Sequence, residues 1–153
     1  MTTKATMMKS NFKLPSSEVE RIREMVPTVA ELRIIDLMRD YRALRNRYFG
    51  NTIPPVEEVI LRFLPRTEMQ RLARAEEADV DGLCMWGVYL GSPVPKIILL
   101  ADDLRVNETR LTLLHEMAHM KVDIKHRRQM KHGKTFQKEL DRLRVARAYD
   151  GWM

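Results

Sequence analysis

The chain has 153 residues, 44% of them hydrophobic and 31% charged, enough apolar content to bury a core and too much for a disordered tail. No apolar run approaches the roughly 20 residues that span a bilayer, and one cysteine, Cys84, excludes an internal disulfide and a cysteine-rich zinc ribbon. The net charge is +6, and residues 121–148 hold ten Lys or Arg against three Asp or Glu, more than the whole excess; such a concentration suits a polyanion, nucleic acid above all, or a solvated basic face.

Residues 1–16 carry lysines but no continuous apolar segment, so they read as a flexible tail and not a secretory signal, and a cytoplasmic protein is expected. A single domain is expected over 17–150. Ser17-Glu18-Val19-Glu20 and Thr28-Val29-Ala30-Glu31 both fit capping boxes, and Pro27 separates the two helices they start. The second helix is predicted over Val29 to Phe49, because Ile34, Leu37, Met38, Tyr41, Leu44 and Tyr48 recur at helical spacing. Gly50-Asn51 and Pro54-Pro55 end it. Val56 to Leu64, rich in β-branched and aromatic residues, predicts a strand, and Thr67 to Ala78 a short helix. Cys84–Leu90 and Lys96–Leu100 predict two strands joined by a turn at Gly91-Ser92-Pro93. In the apolar stretch Leu83-Cys84-Met85-Trp86 the cysteine is expected to be a buried small hydrophobe, not a nucleophile. Asn107 is the expected cap of a helix reaching about Lys125. Gly133 marks a break, and Thr135 to Ala148 a last helix. The fold class is α+β, with a three-stranded sheet packed against several helices.

The chemistry concentrates in one of those helices, which contains His115-Glu116-Met117-Ala118-His119. A helix turns every 3.6 residues, so His115 and His119 project from one face, one turn apart, where both imidazoles can reach one Zn²⁺ at about 2.0–2.1 Å. Glu116 is offset by one residue, placed to take a proton from a zinc-activated water without itself binding the metal. With four histidines in the chain, chance produces His-Glu-x-x-His in about 0.008 chains of this composition, which favours a site over incidental surface histidines. Leu113, Leu114, Met117 and Ala118 set the motif in a buried helix. A catalytic zinc needs a third protein ligand and an open fourth position. Asp123, His126, Glu139 and His132 compete for it. His132 is preferred, since His is the commonest ligand type and Gly133 beside it lets the chain fold back to the helix.

Several segments, in order, resemble the SprT-like (Spartan-type) zinc metallopeptidases. Tyr48-Phe49-Gly50-Asn51-Thr52-Ile53-Pro54 is similar to that family's helix end and the turn after it. Val56–Phe63 resembles its first strand, and Ile97–Leu100 the strand before its active-site helix. Thr112 to His119 is similar to its motif helix, and His132-Gly133-Lys134-Thr135-Phe136 to its His-Gly-x-x-Phe segment. Lys131 and Lys134 stand where glycine and proline are often found, and Leu111 where some members carry an acidic residue. The resemblance spans roughly Val29 to Leu143. It implies a small zincin-like domain, one catalytic Zn²⁺ held by His115, His119 and His132, and Glu116 as general base in a metalloendopeptidase.

It also implies action on proteins bound or crosslinked to single-stranded or duplex DNA. Lys125, Arg127, Arg128, Lys131 and Lys134 are the candidate phosphate contacts, and Trp86 and Tyr89 candidate platforms for unpaired bases; the other reading of the two aromatics is sheet core. Two alternatives carry different expectations. One is a zinc-stabilised nucleic-acid or protein binding module with little proteolytic activity, against which Glu116 speaks, since a structural site needs no general base. The other is a protease of one specific protein, insensitive to DNA.

Overall fold

The run Ile97 to Ala101 has no polar side of its own and is suited to burial on both faces, as the middle strand of a covered sheet is. In the computed structural model, which describes residues 16–17, 29–73, 80–89, 92–128 and 130–150, that run is the end of the central strand. The order is α1 (Val29–Leu44), β1 (Ile60–Leu64), α2 (Arg66–Leu72), β2 (Gly82–Tyr89), β3 (Ser92–Ala101), α3 (Val106–His126) and α4 (Lys134–Val145). The sheet order is β1-β3-β2. β1 lies parallel to β3, with Ile60 opposite Ile97, and β2 lies antiparallel, with Gly82 opposite Leu100. The fold is therefore α+β, with a three-stranded mixed sheet.

Residues 97–101 are all buried, and α3 contributes Leu113, Leu114, Met117, Ala118 and Met120 to the same core. Burying such side chains stabilises by about 1.5–3 kcal/mol each before chain entropy is charged. Tyr41 of α1 is fully buried in this core, its hydroxyl donating to the Pro54 carbonyl at 2.6 Å. No helix among the described residues is long and apolar enough to cross a membrane.

Several boundaries differ from expectation for local reasons. The helix predicted to Phe49 is α-helical only to Leu44. Arg45–Phe49 is a π-helical turn, and the N–H of Gly50, at φ 56°, closes it onto the Arg45 carbonyl. The predicted strand at Val56 starts at Ile60, because Val56–Glu58 is a 3₁₀ turn whose Glu58 N–H donates to the Pro55 carbonyl at 2.9 Å. Ser92 and Pro93 belong to β3 and not to the turn. The pairing shifts register between Met85 and Trp86, which face Ile97 and Pro95; a proline cannot donate to a ladder, so an irregularity there is expected. α3 starts at Val106, ahead of the expected cap Asn107, and the Glu108 carboxylate accepts from the Arg105 N–H at 2.8 Å. The expected tail apart from Ser16, the capping residues Glu20 and Thr28, the hairpin tip Leu90-Gly91 and residues 74–78 of the predicted short helix lie outside the described residues.

Candidate metal centre

α3 runs across the sheet with one face on β3 and β2, and that packing turns His115 and His119 toward a cleft beside β2. The cleft has a volume of about 620 Å³ and is lined by Asp81, Gly82, Leu83 and Cys84 of the β2 segment, by Thr112, His115, Glu116 and His119 of α3, and by Lys131 and His132. Both motif histidines are half-buried and His132 is exposed.

The loop between α3 and α4 brings His132 back over the helix. One donor atom from each of His115, His119 and His132 lies within 4.8 Å of the others, and Nε2 of His119 is 3.0 Å from Nε2 of His132. Ligands at 2.0–2.1 Å around one tetrahedral ion stand about 3.3 Å apart, so three imidazoles at these separations fit a metal ion, and neutral nitrogen donors suit a divalent transition metal. Phe136, fully buried at the start of α4, stacks on His119 with centroids 3.9 Å apart and planes 11° apart, and meets His115 edge-on at 5.0 Å. Its ring fixes the orientation of both imidazoles.

Burial lowers the pKa of His115, helped by the charge of His132. Burial followed by the neighbouring His115 and His132 takes His119 down to about 3. Both rings are thereby held neutral, the form that binds metal. Glu116 is 5% exposed, and burial, with the Asp123 charge adding to it, pushes its carboxyl up to about 8. Near neutral pH a carboxyl so raised is largely protonated, and a cation held by the imidazoles would lower it toward the ionised form that accepts a proton.

Of the other contenders for the third ligand position, Glu139 and Asp123 hold other partners. Glu139 is buried between Lys121, at 2.9 Å, and Arg142, at 2.6 Å. Asp123 accepts from the Met130 N–H at 2.9 Å. Its pKa is raised by burial, against the lowering effect of Met130, Trp86 and His126. His126 is exposed at the end of α3.

Lys125, Arg127, Arg128, Lys131 and Lys134 are all exposed, along the end of α3, the following loop and the first residue of α4. Trp86 is half-buried, and its indole N–H points inward near Asp123 without closing to full hydrogen-bond geometry with any group among the described residues. The side chain of Tyr89 lies outside the described residues. Cys84 lines the cleft with its thiol buried, and burial, then the charges of Glu116 and Asp123, push its pKa well up, away from a reactive thiolate.

Residues that the sequence alone did not single out are Gly82, Thr112 and Leu83. A glycine at a strand end does signal a close approach of another group, and Thr112 and Glu116 make that approach. No protein family, curated protein or solved structure matches the chain.

Proposed function

We propose that the chain is a zinc-dependent endopeptidase of the SprT-like kind, in which His115, His119 and His132 hold one ion and Glu116 is the general base. The observation that carries this reading is the convergence of three imidazoles from α3 and the loop after it beside one buried carboxylate, at the wall of an open cleft. Three protein donors leave a coordination position free, unlike a purely structural site. A zinc ion held there supplies Lewis-acid polarisation and a lowered pKa for water in that free position.

The chain's own groups account for the rest. β2 is one of the two edge strands of the sheet among the described residues, and its first residues line the cleft, so an extended peptide can add to that edge by backbone pairing. Glu116 takes the proton of the attacking water as its oxygen bonds to the peptide carbon. It then returns the proton to the amine nitrogen as the C–N bond breaks. The exposed cations from Lys125 to Lys134 flank His132, and with the family resemblance they make DNA-bound or DNA-crosslinked proteins the proposed substrates.

The test is proteolysis of a generic DNA-binding protein by zinc-loaded enzyme without DNA, with duplex and with single-stranded DNA. Glu116→Gln is expected to lower kcat about 10²–10⁴-fold with zinc content unchanged. Cleavage that needs DNA supports the whole proposal, and cleavage indifferent to DNA removes the DNA part. Absence of any cleavage by a stoichiometrically zinc-loaded chain overturns the peptidase in favour of a zinc-stabilised binding module.

A further inference from the structure

His115 and His119 are fixed by a helix, but His132 is carried by a loop. Its ring has no hydrogen bond among the described residues besides the approach to His119. Its ring also meets Phe136 at 5.1 Å, tilted by 52°, and the backbone leading into it sets where that ring starts. That backbone is not relaxed: Arg127 and Lys131 both take the left-handed conformation, at φ 58° and 49°, which side chains larger than glycine adopt at a cost. Something holds the loop in this shape.

One residue does so twice. The Arg128 N–H donates to the main-chain carbonyl of Asp123 at 3.2 Å, and the Arg127 N–H to that of Ile124 at 3.3 Å, closing the end of α3 in a Schellman arrangement. The Met130 N–H then donates to Oδ1 of the Asp123 side chain at 2.9 Å. Asp123 thus grips the loop at both Arg128 and Met130, the latter two residues before His132. It stands one helical turn beyond His119, on the face that carries the metal-binding imidazoles. It is 4% exposed and lines the same cleft.

The position is a poor one for an acid on stability grounds. A carboxylate in the last turn of a helix meets the negative end of the helix dipole, and burial removes its solvation. What the side chain gains there is the loop anchor, with the Trp86 indole N–H and the His126 charge beside it.

We propose that Asp123 is a positioning residue: by holding the Met130 N–H it sets the α3–α4 loop so that His132 completes the three-imidazole site. This rests on reading His115, His119 and His132 as metal ligands. The anchor requires an acceptor at this place, not a charge, so an amide oxygen can replace the carboxylate.

The experiment measures Co²⁺ and Zn²⁺ affinity by chelator competition, the visible spectrum of the Co²⁺ form, and amide exchange at Met130 in the metal-free protein. Asp123→Ala is expected to weaken metal affinity about 10–100-fold, as loss of a group that orients a ligand does, and to alter the Co²⁺ spectrum. Asp123→Asn restores affinity to within about threefold. A purely structural role would lower the melting temperature of Asp123→Ala and leave the affinity of its folded fraction unchanged, and that result overturns the proposal. Should Asp123→Ala fail to fold, the metal-free wild type decides: a protected Met130 amide upholds the anchor and a fast-exchanging one overturns it. Failure of the metal reading looks different, because the wild type then binds no ion and His119→Ala changes nothing, while the Met130 amide stays protected.

Discussion

An alanine methyl at position 82 would lie 2.6 Å from Thr112 Cγ2 and 3.0 Å from both Cγ and Oε2 of Glu116. The first separation is impossible without movement, and the second presses directly on the group assigned as general base. Thr112 sits on α3 one turn before Glu116, so relief by shifting α3 would displace the motif as well. Gly82→Ala is expected to cost about 1–3 kcal/mol of stability through overpacking. It should also lower kcat about 10–100-fold through misplacement of Glu116, with zinc stoichiometry kept because neither histidine is touched. Urea unfolding, zinc analysis and a rate assay on one preparation check this; an unchanged kcat would mean that Glu116 is not held by that contact. At this scale the motif residues were legible from helical spacing, and His132 from its ligand type, the glycine beside it and the family resemblance. His115, Glu116 and His119 are neighbours on one element, so their geometry follows from 3.6 residues per turn. Gly82 and Asp123 act on partners across a packing interface or a loop, and no periodicity encodes that.

At the scale of elements, the strands were legible from β-branched and apolar runs, α1 from its apolar periodicity and α2 from its helix formers. Their ends were not, since single hydrogen bonds decide them: the π turn closed by the Gly50 N–H, the 3₁₀ turn at Pro55 and the start of α3 at Arg105. The junction of α3 and α4 depends on a polar clamp that a charge pattern on either helix does not reveal. Lys121 of α3 and Arg142 of α4 both hold Glu139, whose side chain is 7% exposed. Burial pushes the Glu139 carboxyl up, but the hydrogen bonds and charges of Arg142 and Lys121 outweigh it, and the pKa is lowered overall. The folded-state pKa is then below the unfolded value of about 4.3, so the stabilisation is complete above that value and is lost as pH falls through the lowered one. Glu139→Gln is expected to cost about 1–3 kcal/mol at neutral pH. Its unfolding free energy should converge with that of the wild type as both are titrated into acid. Denaturant unfolding between neutrality and the acid limb measures this, and curves that stay parallel would show that Glu139 is not linked to folding.

For the whole molecule the decisive quantity is where its charge lies. The net charge is +6, but a net charge alone says nothing about which face a polyanion meets. The fold gathers Lys125, Arg127, Arg128, Lys131 and Lys134 along one helix end and loop next to the cleft, all exposed. If single-stranded DNA lies on this face and three to five of these cations displace counterions, the slope of log affinity against log salt is about −2 to −3.5. Affinity then falls about 20- to 130-fold between 50 and 200 mM salt. Replacing Lys125, Arg127 and Arg128 together by alanine removes three contacts and should flatten the slope by about 2. None of the three is a proposed ligand or base, so zinc content should hold and cleavage of a substrate free of DNA should be unaffected. Fluorescence anisotropy with a labelled oligonucleotide across a salt series gives both slopes. A steep slope that the triple variant leaves unaltered would move the DNA to another face, whereas a slope near zero in the wild type would remove DNA from the mechanism and leave a protease that recognises its protein substrate alone.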